Sequence, residues 1–177
     1  MAFPLGEDRF GLNSVSGFDT TLLHIVESTG LPAWVEELVL VLEGEMDFDL
    51  SSINENLEHL NRILFRVNVF NGFPNEILAQ AYFRDDAMNN LDSIFADGPL
   101  LVPPGVPQGT GETVQPAYVR KDATFNKERV DKVAQATGIF FRATLVVGAV
   151  DTTLIPYYPS YNFDVKIGAM FDLSMTF

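Results

Sequence analysis

Acidic side chains are the groups in this sequence whose types and spacing best suit a chemical task. Asp47 and Asp49 end a stretch in which acidic residues alternate from Glu43 onward, and Asp85 and Asp86 are adjacent further along. Carboxylate oxygens are the hard ligands that Ca²⁺ prefers, although no EF-hand spacing surrounds these residues. We therefore name Asp47, Asp49, Asp85 and Asp86 as calcium candidates, against the alternative that they belong to solvated surfaces.

Aromatic rings offer a second kind of site, because they stack on sugars and anchor protein interfaces. Tyr157, Tyr158 and Tyr161 lie in a proline-marked stretch, and Trp34 is the only tryptophan. These four residues are the predicted binding residues for a carbohydrate or a protein. The alternative is that they pack in the core of a chain that has 15 phenylalanines.

No catalytic motif accompanies these candidates. His24 and His59 lack the partner spacing of zinc sites, and residues 109–111 lack the lysine and helix of a phosphate-binding loop. Ser14 and Ser16 do not stand in a G-x-S-x-G elbow. The absence of cysteine removes thiol nucleophiles, disulfides and a lipid-modified cysteine. The sequence predicts a protein that is not an enzyme and that, calcium aside, has no cofactor.

The net charge of the chain limits the classes of partner that it can bind. The chain has 24 Asp and Glu against 11 Lys and Arg, a formal net charge of −13. Such a chain repels phosphate backbones and anionic lipid headgroups, so we expect no nucleic acid as a ligand. Protein partners or self-association remain. The first ten residues, MAFPLGEDRF, show no basic region followed by an apolar core, so no signal peptide is visible there.

The elements that would position these groups are mainly strands. Apolar residues alternate from Ile63 to Val69 and again from Ile77 to Phe83, on either side of a break at residues 71–75. Two period-two segments around a Gly/Pro/Asn break predict a β-hairpin over Arg62–Arg84.

Other segments follow the same period. Leu38–Leu50 alternates as a strand with a bulge at Gly44, and Phe163–Phe177 alternates as a last strand. The clearest helix is Asn126–Ala136, with Asn126 as N-cap. We expect residues 1–30 to be an irregular lead-in with one strand at Thr20–Val26.

The length of 177 residues and the apolar fraction of 47% suit one domain with a proper core. The prediction is a single domain over residues 1–177: a mostly β, antiparallel β-sandwich, immunoglobulin-like or late-embryogenesis-like, with one short helix. Two turn-rich segments, Pro103–Gly111 and Gly148–Tyr161, are the loops in which we expect a localised function to lie.

Several motifs resemble a known family. The run FRVNVFNGFP is followed by a strand, LDSIF and a proline-rich loop; FNKERVDKVAQATGIFFRATL and SYNFDVKIGAMFDL come later. As a set they resemble the C-terminal region of Bacteroidota outer-membrane-associated lipoproteins of unassigned function, from Glu45 onward. The NGFP turn is more distantly similar to the water-stress and late-embryogenesis β-sandwich.

The resemblance implies a β-domain at the cell surface or in the periplasm, with no catalytic residues to carry over. Outer-membrane association would need an export signal and an anchor that this sequence does not show. The prediction is thus a non-catalytic structural or binding module of an exported or cell-surface bacterial protein. Two alternatives stay open: a self-assembling filament or viral-shell subunit that pairs through its terminal strands, and a calcium- or carbohydrate-binding accessory domain.

Overall fold

A computed structural model describes residues 2–11, 37–48, 59–109, 113–148 and 160–173. These ranges hold eleven strands and one helix, α1 (Lys127–Val133). The strands in chain order are β1 (Ala2–Gly11), β2 (Glu37–Asp47), β3 (Leu60–Asn71), β4 (Ile77–Arg84), β5 (Asn90–Ser93), β6 (Leu100–Val102), β7 (Val106–Gln108), β8 (Thr113–Gln115), β9 (Ala117–Phe125), β10 (Gly138–Gly148) and β11 (Asn162–Leu173).

The strands form two main antiparallel sheets. Sheet A has the order β1-β11-β3-β9, and sheet B has the order β2-β10-β4-β5, with β6 also paired to β4. A separate ribbon joins β7 to β8. The chain is therefore a mostly β, antiparallel sandwich with one helix in its described part, as the sequence predicts.

The sandwich is held by side chains that alternate into the space between the sheets. In β3, Ile63, Phe65, Val67 and Val69 are buried, while the residues between them are partly exposed. Each buried residue of this size contributes about 1.5–3 kcal/mol through loss of apolar contact with water. A cluster of phenylalanine rings at contact distance fills the centre of this core: Phe48, Phe65, Phe83 and Phe125.

The helix begins where the sequence predicts. The side chain of Asn126 accepts a hydrogen bond from the backbone N–H of Arg129, which satisfies one free donor of the first turn. Val130 and Val133 are buried against the core. The helix stays next to β5 because the Arg129 guanidinium donates to both carboxylate oxygens of Asp92, at 2.8 and 3.1 Å.

The predicted hairpin over residues 62–84 is wrong, although both of its strands exist. β3 pairs with β11 and β9 in sheet A, whereas β4 pairs with β10, β5 and β6 in sheet B. Residues 72–76 therefore form an arch between the sheets. Asn71 explains this, because its buried side chain donates to the carbonyls of Asn75 and Pro103 and accepts from the N–H of Phe73.

Glycine is required at the arch. The N–H of Gly72 donates to the carbonyl of Asn162 at 2.8 Å, and a Cβ at Gly72 would lie 2.8 Å from that same oxygen. Phe73 then turns into the core and is fully buried. The Gly/Pro/Asn break thus connects a strand of sheet A to a strand of sheet B. A hairpin turn at this place would leave the polar atoms of Asn71 without these partners.

Three smaller expectations need correction. Ala2–Gly11 is strand β1 rather than irregular lead-in, and the expected strand at Thr20–Val26 lies outside the described residues. The β2–β10 register runs without a shift, so Gly44 is not a bulge. Pro103–Gly111 is exposed for most of its described length but contains the short strand β7.

The structure limits one route to self-assembly, which is pairing through the C-terminal strand. Self-assembly itself stays a prediction, because β1, the other terminal strand, is an edge of sheet A in the described part of the chain. The hypothesis that the C-terminal strand pairs with a neighbouring molecule requires a free strand edge. β11 instead lies inside sheet A and pairs with β1 on one side and with β3 on the other. Over Phe163–Met170 its residues are paired on both sides within the chain. In the described part of the chain, no helix has both the length and the apolar character needed to span a bilayer.

Candidate functional site

The site with the best-defined geometry is the solvent side of sheet A. Because side chains alternate along a strand, the residues between the core positions of β3, β9 and β11 share this side. We call this set the outer face of sheet A. It comprises Arg62, Leu64, Arg66, Asn68, Phe70, Tyr118, Arg120, Asp122, Thr124, Asp164, Lys166, Gly168, Met170 and Asp172.

Two stacked rings stand at one end of the outer face. Phe70 and Tyr118 are directly opposite in the β3–β9 register, and their ring centres are 4.9 Å apart at 29°. The Tyr118 hydroxyl donates to Oδ1 of Asn68 at 2.8 Å. Tyr118 is 54% exposed. A large ring is therefore held in one orientation, by stacking and by a hydrogen bond, while it faces water.

A charged pair adjoins these rings. Nε and Nη2 of Arg66 donate to the two carboxylate oxygens of Asp122, at 2.9 and 2.8 Å. The bond from Arg66 holds the pKa of Asp122 below its ordinary value, and Asp122 in turn raises the pKa of Arg66. Both side chains are charged at neutral pH, and the two-point geometry fixes their positions across the strands.

A shallow groove lies at the opposite end of the outer face. Leu64 and Met170 are opposite each other across β3 and β11, and Met170 is 43% exposed. An ion pair between Arg62 and Asp172, at 3.0 Å, borders them. The groove has a volume of about 330 Å³. The outer face thus combines a ring platform, fixed polar groups and a groove with a mixed polar and apolar lining.

The solvent side of sheet B has a different character. Arg142 donates to Oε1 of Glu43 from Nε and Nη2, at 2.8 and 2.6 Å, and the Arg84 guanidinium lies 3.5 Å from the centre of the Phe140 ring. Beside them, Leu78 of β4 and Leu101 of β6 lie opposite each other, and they are 41% and 54% exposed. This side offers aliphatic surface, and arginine covers its Phe140 ring.

The structure separates the predicted calcium ligands. Asp47 and Arg84 both lie opposite Gly138, one on each side of β10, so Asp47 and Asp85 sit at the same end of sheet B with a strand between them. Within the described ranges, no three acidic or histidine residues stand close enough to hold a metal ion. Asp49 lies outside those ranges, and calcium binding stays a prediction.

Asp85 and Asp86 belong to a turn. The Asp85 carboxylate accepts hydrogen bonds from the N–H groups of Ala87 and Asn89 and from the side-chain amide of Asn89, at 3.0, 2.8 and 3.0 Å. These bonds, the Asn89 side chain first, lower the pKa of Asp85. Asp86 is exposed in the same turn. The carboxylate of Asp85 therefore already has a structural task as a turn cap.

The predicted aromatic site is only partly visible. Tyr161 is 3% exposed and packs edge-on against Phe73, with ring centres 6.0 Å apart. Its ring therefore belongs to the core and not to an exposed platform, which corrects the expectation for this residue. Trp34, Tyr157 and Tyr158 lie outside the described residues, as do residues 149–159 of the second predicted loop.

Sequence reasoning missed Tyr118 and its neighbours. The available signal was a tyrosine on the same strand parity as Arg120 and Asp122, which is the polar parity of β9. The strand that completes the site is distant in sequence, since Asn68 and Tyr118 are 50 positions apart. Without the β3–β9 register, no pattern in the sequence brings these residues together.

Comparisons with known proteins identify no family for this chain. No family model matches the chain, and no curated protein matches it. Among solved structures, a Parabacteroides distasonis protein described as secreted is 14% identical, with a TM-score of 0.48 over 76% of this chain and 39% of that chain.

Two further structures are similar at a lower level. The infectious bursal disease virus Gt strain structure is 7% identical, with a TM-score of 0.41 over 96% of this chain and 31% of that chain. The K3 adhesin domain of Lys-gingipain from Porphyromonas gingivalis W83 is 10% identical, with a TM-score of 0.37 over 73% of this chain and 63% of that chain. The chain spans less than two thirds of all three, and no property of theirs is transferred to it.

Proposed function

We propose that this chain is a non-catalytic binding module of an exported or cell-surface bacterial protein, and that it binds carbohydrate on the outer face of sheet A. The observation that carries the proposal is the exposed ring of Tyr118, which is fixed by Phe70 on one side and by Asn68 at its hydroxyl. A ring that is already held in place loses little conformational entropy when a sugar stacks on it.

The position of Tyr118 leaves room for a ligand. In the described part of the chain, β9 is the last strand of sheet A and pairs with β3 alone, so no described strand lies beyond it. The side of the ring turned away from Phe70 therefore faces the sheet edge. Arg120 follows on the same parity and is exposed. Together they supply an apolar surface and a hydrogen-bond donor, the two contacts that a sugar ring uses.

The cellular setting of the proposal comes from the sequence. The motifs that resemble Bacteroidota outer-membrane-associated lipoproteins lie in β3, α1, β10 and β11 and in the arch at residues 72–76. A module at the cell surface is exposed to polysaccharide, so carbohydrate is a ligand class that is present where we propose that this chain acts. The acidity of the chain is compatible with this, because a neutral glycan is not repelled.

A glycan array tests the proposal. We expect the intact chain to bind a restricted set of polysaccharides, and Tyr118→Ala to reduce that binding roughly twofold to tenfold, since stacking on an aromatic ring contributes about 0.5–1.5 kcal/mol. The matched control is Tyr82→Ala, which removes the same ring from the solvent side of sheet B. Absence of glycan binding by the folded protein, or an equal loss with Tyr82→Ala, would overturn the assignment.

A further inference from the structure

The three long edge strands of the sandwich differ in how they resist pairing with another chain. Within the described residues, β1 and β9 are the edges of sheet A, and β2 is an edge of sheet B. An exposed edge presents free N–H and C=O groups at alternate residues, and proteins block such edges with proline, bulges or inward-pointing charges.

Both edges of sheet A carry such devices. In β1, Pro4 lacks the N–H that a further strand would need, and the register with β11 shifts between Pro4 and Gly6. In β9, Lys121 lies opposite Val67 of β3 and shares the core-facing parity, yet it is exposed. An added strand would bury this ammonium group, which is a strong penalty.

The β2 edge carries none of these devices. Its register with β10 is continuous from Glu37 to Asp47, with neither proline nor bulge. Its core-facing parity is uncharged and includes Leu42, which is buried, and Met46, which packs partly against the core. In the part of the chain that the structure describes, β2 pairs with β10 alone. Among the described residues, nothing in this edge therefore opposes the addition of another strand.

The solvent-facing residues of β2 indicate what kind of strand could pair with this edge. Glu43, Glu45 and Asp47 alternate along it and are exposed. Among the described side chains, an arginine pairs with Glu43 but no ion pair reaches Glu45 or Asp47. A strand laid beside β2 would place its own outward residues opposite these carboxylates, where opposite charges stabilise and like charges destabilise.

A second copy of this chain does not fit the edge. In an antiparallel β2–β2 pair that keeps core-facing residues on one side, every register joining seven or more residues sets one acidic residue against another. The fully overlapping register, for example, places Glu37 opposite Asp47. We infer that β2 is a docking edge for an extended segment of a different protein, in which apolar residues alternate with lysine or arginine. This inference is independent of the carbohydrate proposal, because it concerns the other sheet.

A pair of peptides tests the inference on the intact chain. One alternates lysine with valine, and the other has the same sequence with N-methyl groups at alternate residues, which keeps the charge but removes the strand hydrogen bonds. In fluorescence anisotropy we expect only the first to bind. Hydrogen exchange followed by NMR should slow at alternate amides of β2 and not at those of β9.

Charge-reversal variants test the recognition. Glu45→Lys with Asp47→Lys should weaken binding roughly tenfold, because two attractive cross-strand pairs become repulsive. The control, Glu76→Lys with Asp97→Lys, makes the same change of net charge at exposed positions away from β2 and should stay within about twofold. Equal losses in both variants, equal binding of the methylated peptide or no binding of either peptide would overturn the inference. So would a dimer of the chain that protects the β2 amides.

Discussion

The polar contacts inside the sandwich and those on the outer face of sheet A are made by the same residue types in different surroundings. Asn71 is fully buried and its amide bonds to three backbone groups, whereas Asn68, three residues earlier on β3, accepts one bond at the surface. A bond that is lost inside leaves groups that water cannot reach, while a bond that is lost outside is replaced by water.

The same contrast separates two arginine–aspartate pairs. Arg129 and Asp92 have side chains that are 18% and 17% exposed, and the guanidinium lies 3.6 Å from the centre of the Phe125 ring. Arg62 and Asp172 are 59% and 60% exposed. The comparison indicates that the inner contacts determine stability and that the outer contacts are available for binding, so that the two can be changed separately.

The largest effect is expected at the arch. Asn71→Ala leaves the buried N–H of Phe73 and the part-buried carbonyls of Asn75 and Pro103 without these partners, and should lower the free energy of unfolding by about 3 kcal/mol. Asn68→Ala on the same strand should cost less than about 0.5 kcal/mol. Urea unfolding of both variants measures the difference. Similar losses for the two asparagines would refute the contrast between inner and outer contacts.

A smaller effect is expected at the arginine pairs. Arg129→Ala should lower the free energy of unfolding by about 2 kcal/mol, because Asp92 would keep its charge in a poorly hydrated place and the helix would lose its contact with β5. Arg62→Ala should change it by no more than about 0.5 kcal/mol. Thermal unfolding at neutral pH compares them. A loss at Arg62 as large as the loss at Arg129 would contradict the expectation.

The smallest effect is expected from acid. Folding lowers the pKa values of Asp122 and Asp85, so their contacts stabilise the fold above the ordinary aspartate pKa of about 3.9 and are lost as the pH falls through the lowered values. Asp122→Asn and Asp85→Asn should each make the fall of Tm between roughly pH 4 and pH 2 slightly less steep.

Arg66→Gln is the matched test for the acid response, since it removes the donor that lowers the pKa of Asp122. It should reduce the steepness by less than Asp122→Asn does, because Arg120 still lowers the pKa of Asp122. A pH dependence that none of these changes alters would show that the surface carboxylates do not contribute to acid stability.

The strands could be predicted from the sequence because alternation is a local property. Phe163, Val165, Ile167 and Ala169 alternate in the sequence and are buried in β11. The helix also followed from a local signal, the Asn126 cap. In these segments the period of the apolar residues was enough, since each residue is placed by its own strand or turn.

Strand partners could not be predicted in the same way. The break at residues 71–75 has the composition of a hairpin turn, and what makes it an arch is a bond from Asn71 to Pro103, 32 positions away. The outer face of sheet A joins Arg66 to Asp122 across 56 positions for the same reason. Composition identifies the turn residues and the aromatic residues, but it does not identify the distant strand that lies beside them.

The place of β11 in sheet A has a consequence for biosynthesis. β1 and β3 are on opposite sides of β11, and the register joins Gly11 to Asn162. A ribosome that adds about 5–20 residues per second releases β1 and β3 well before the strand that must lie between them. In the nascent chain, β1 and β3 are then present without the strand that pairs with both of them. Sheet A closes only when β11 emerges, so β1 and β3 stay without their shared partner until the last part of the described chain is made.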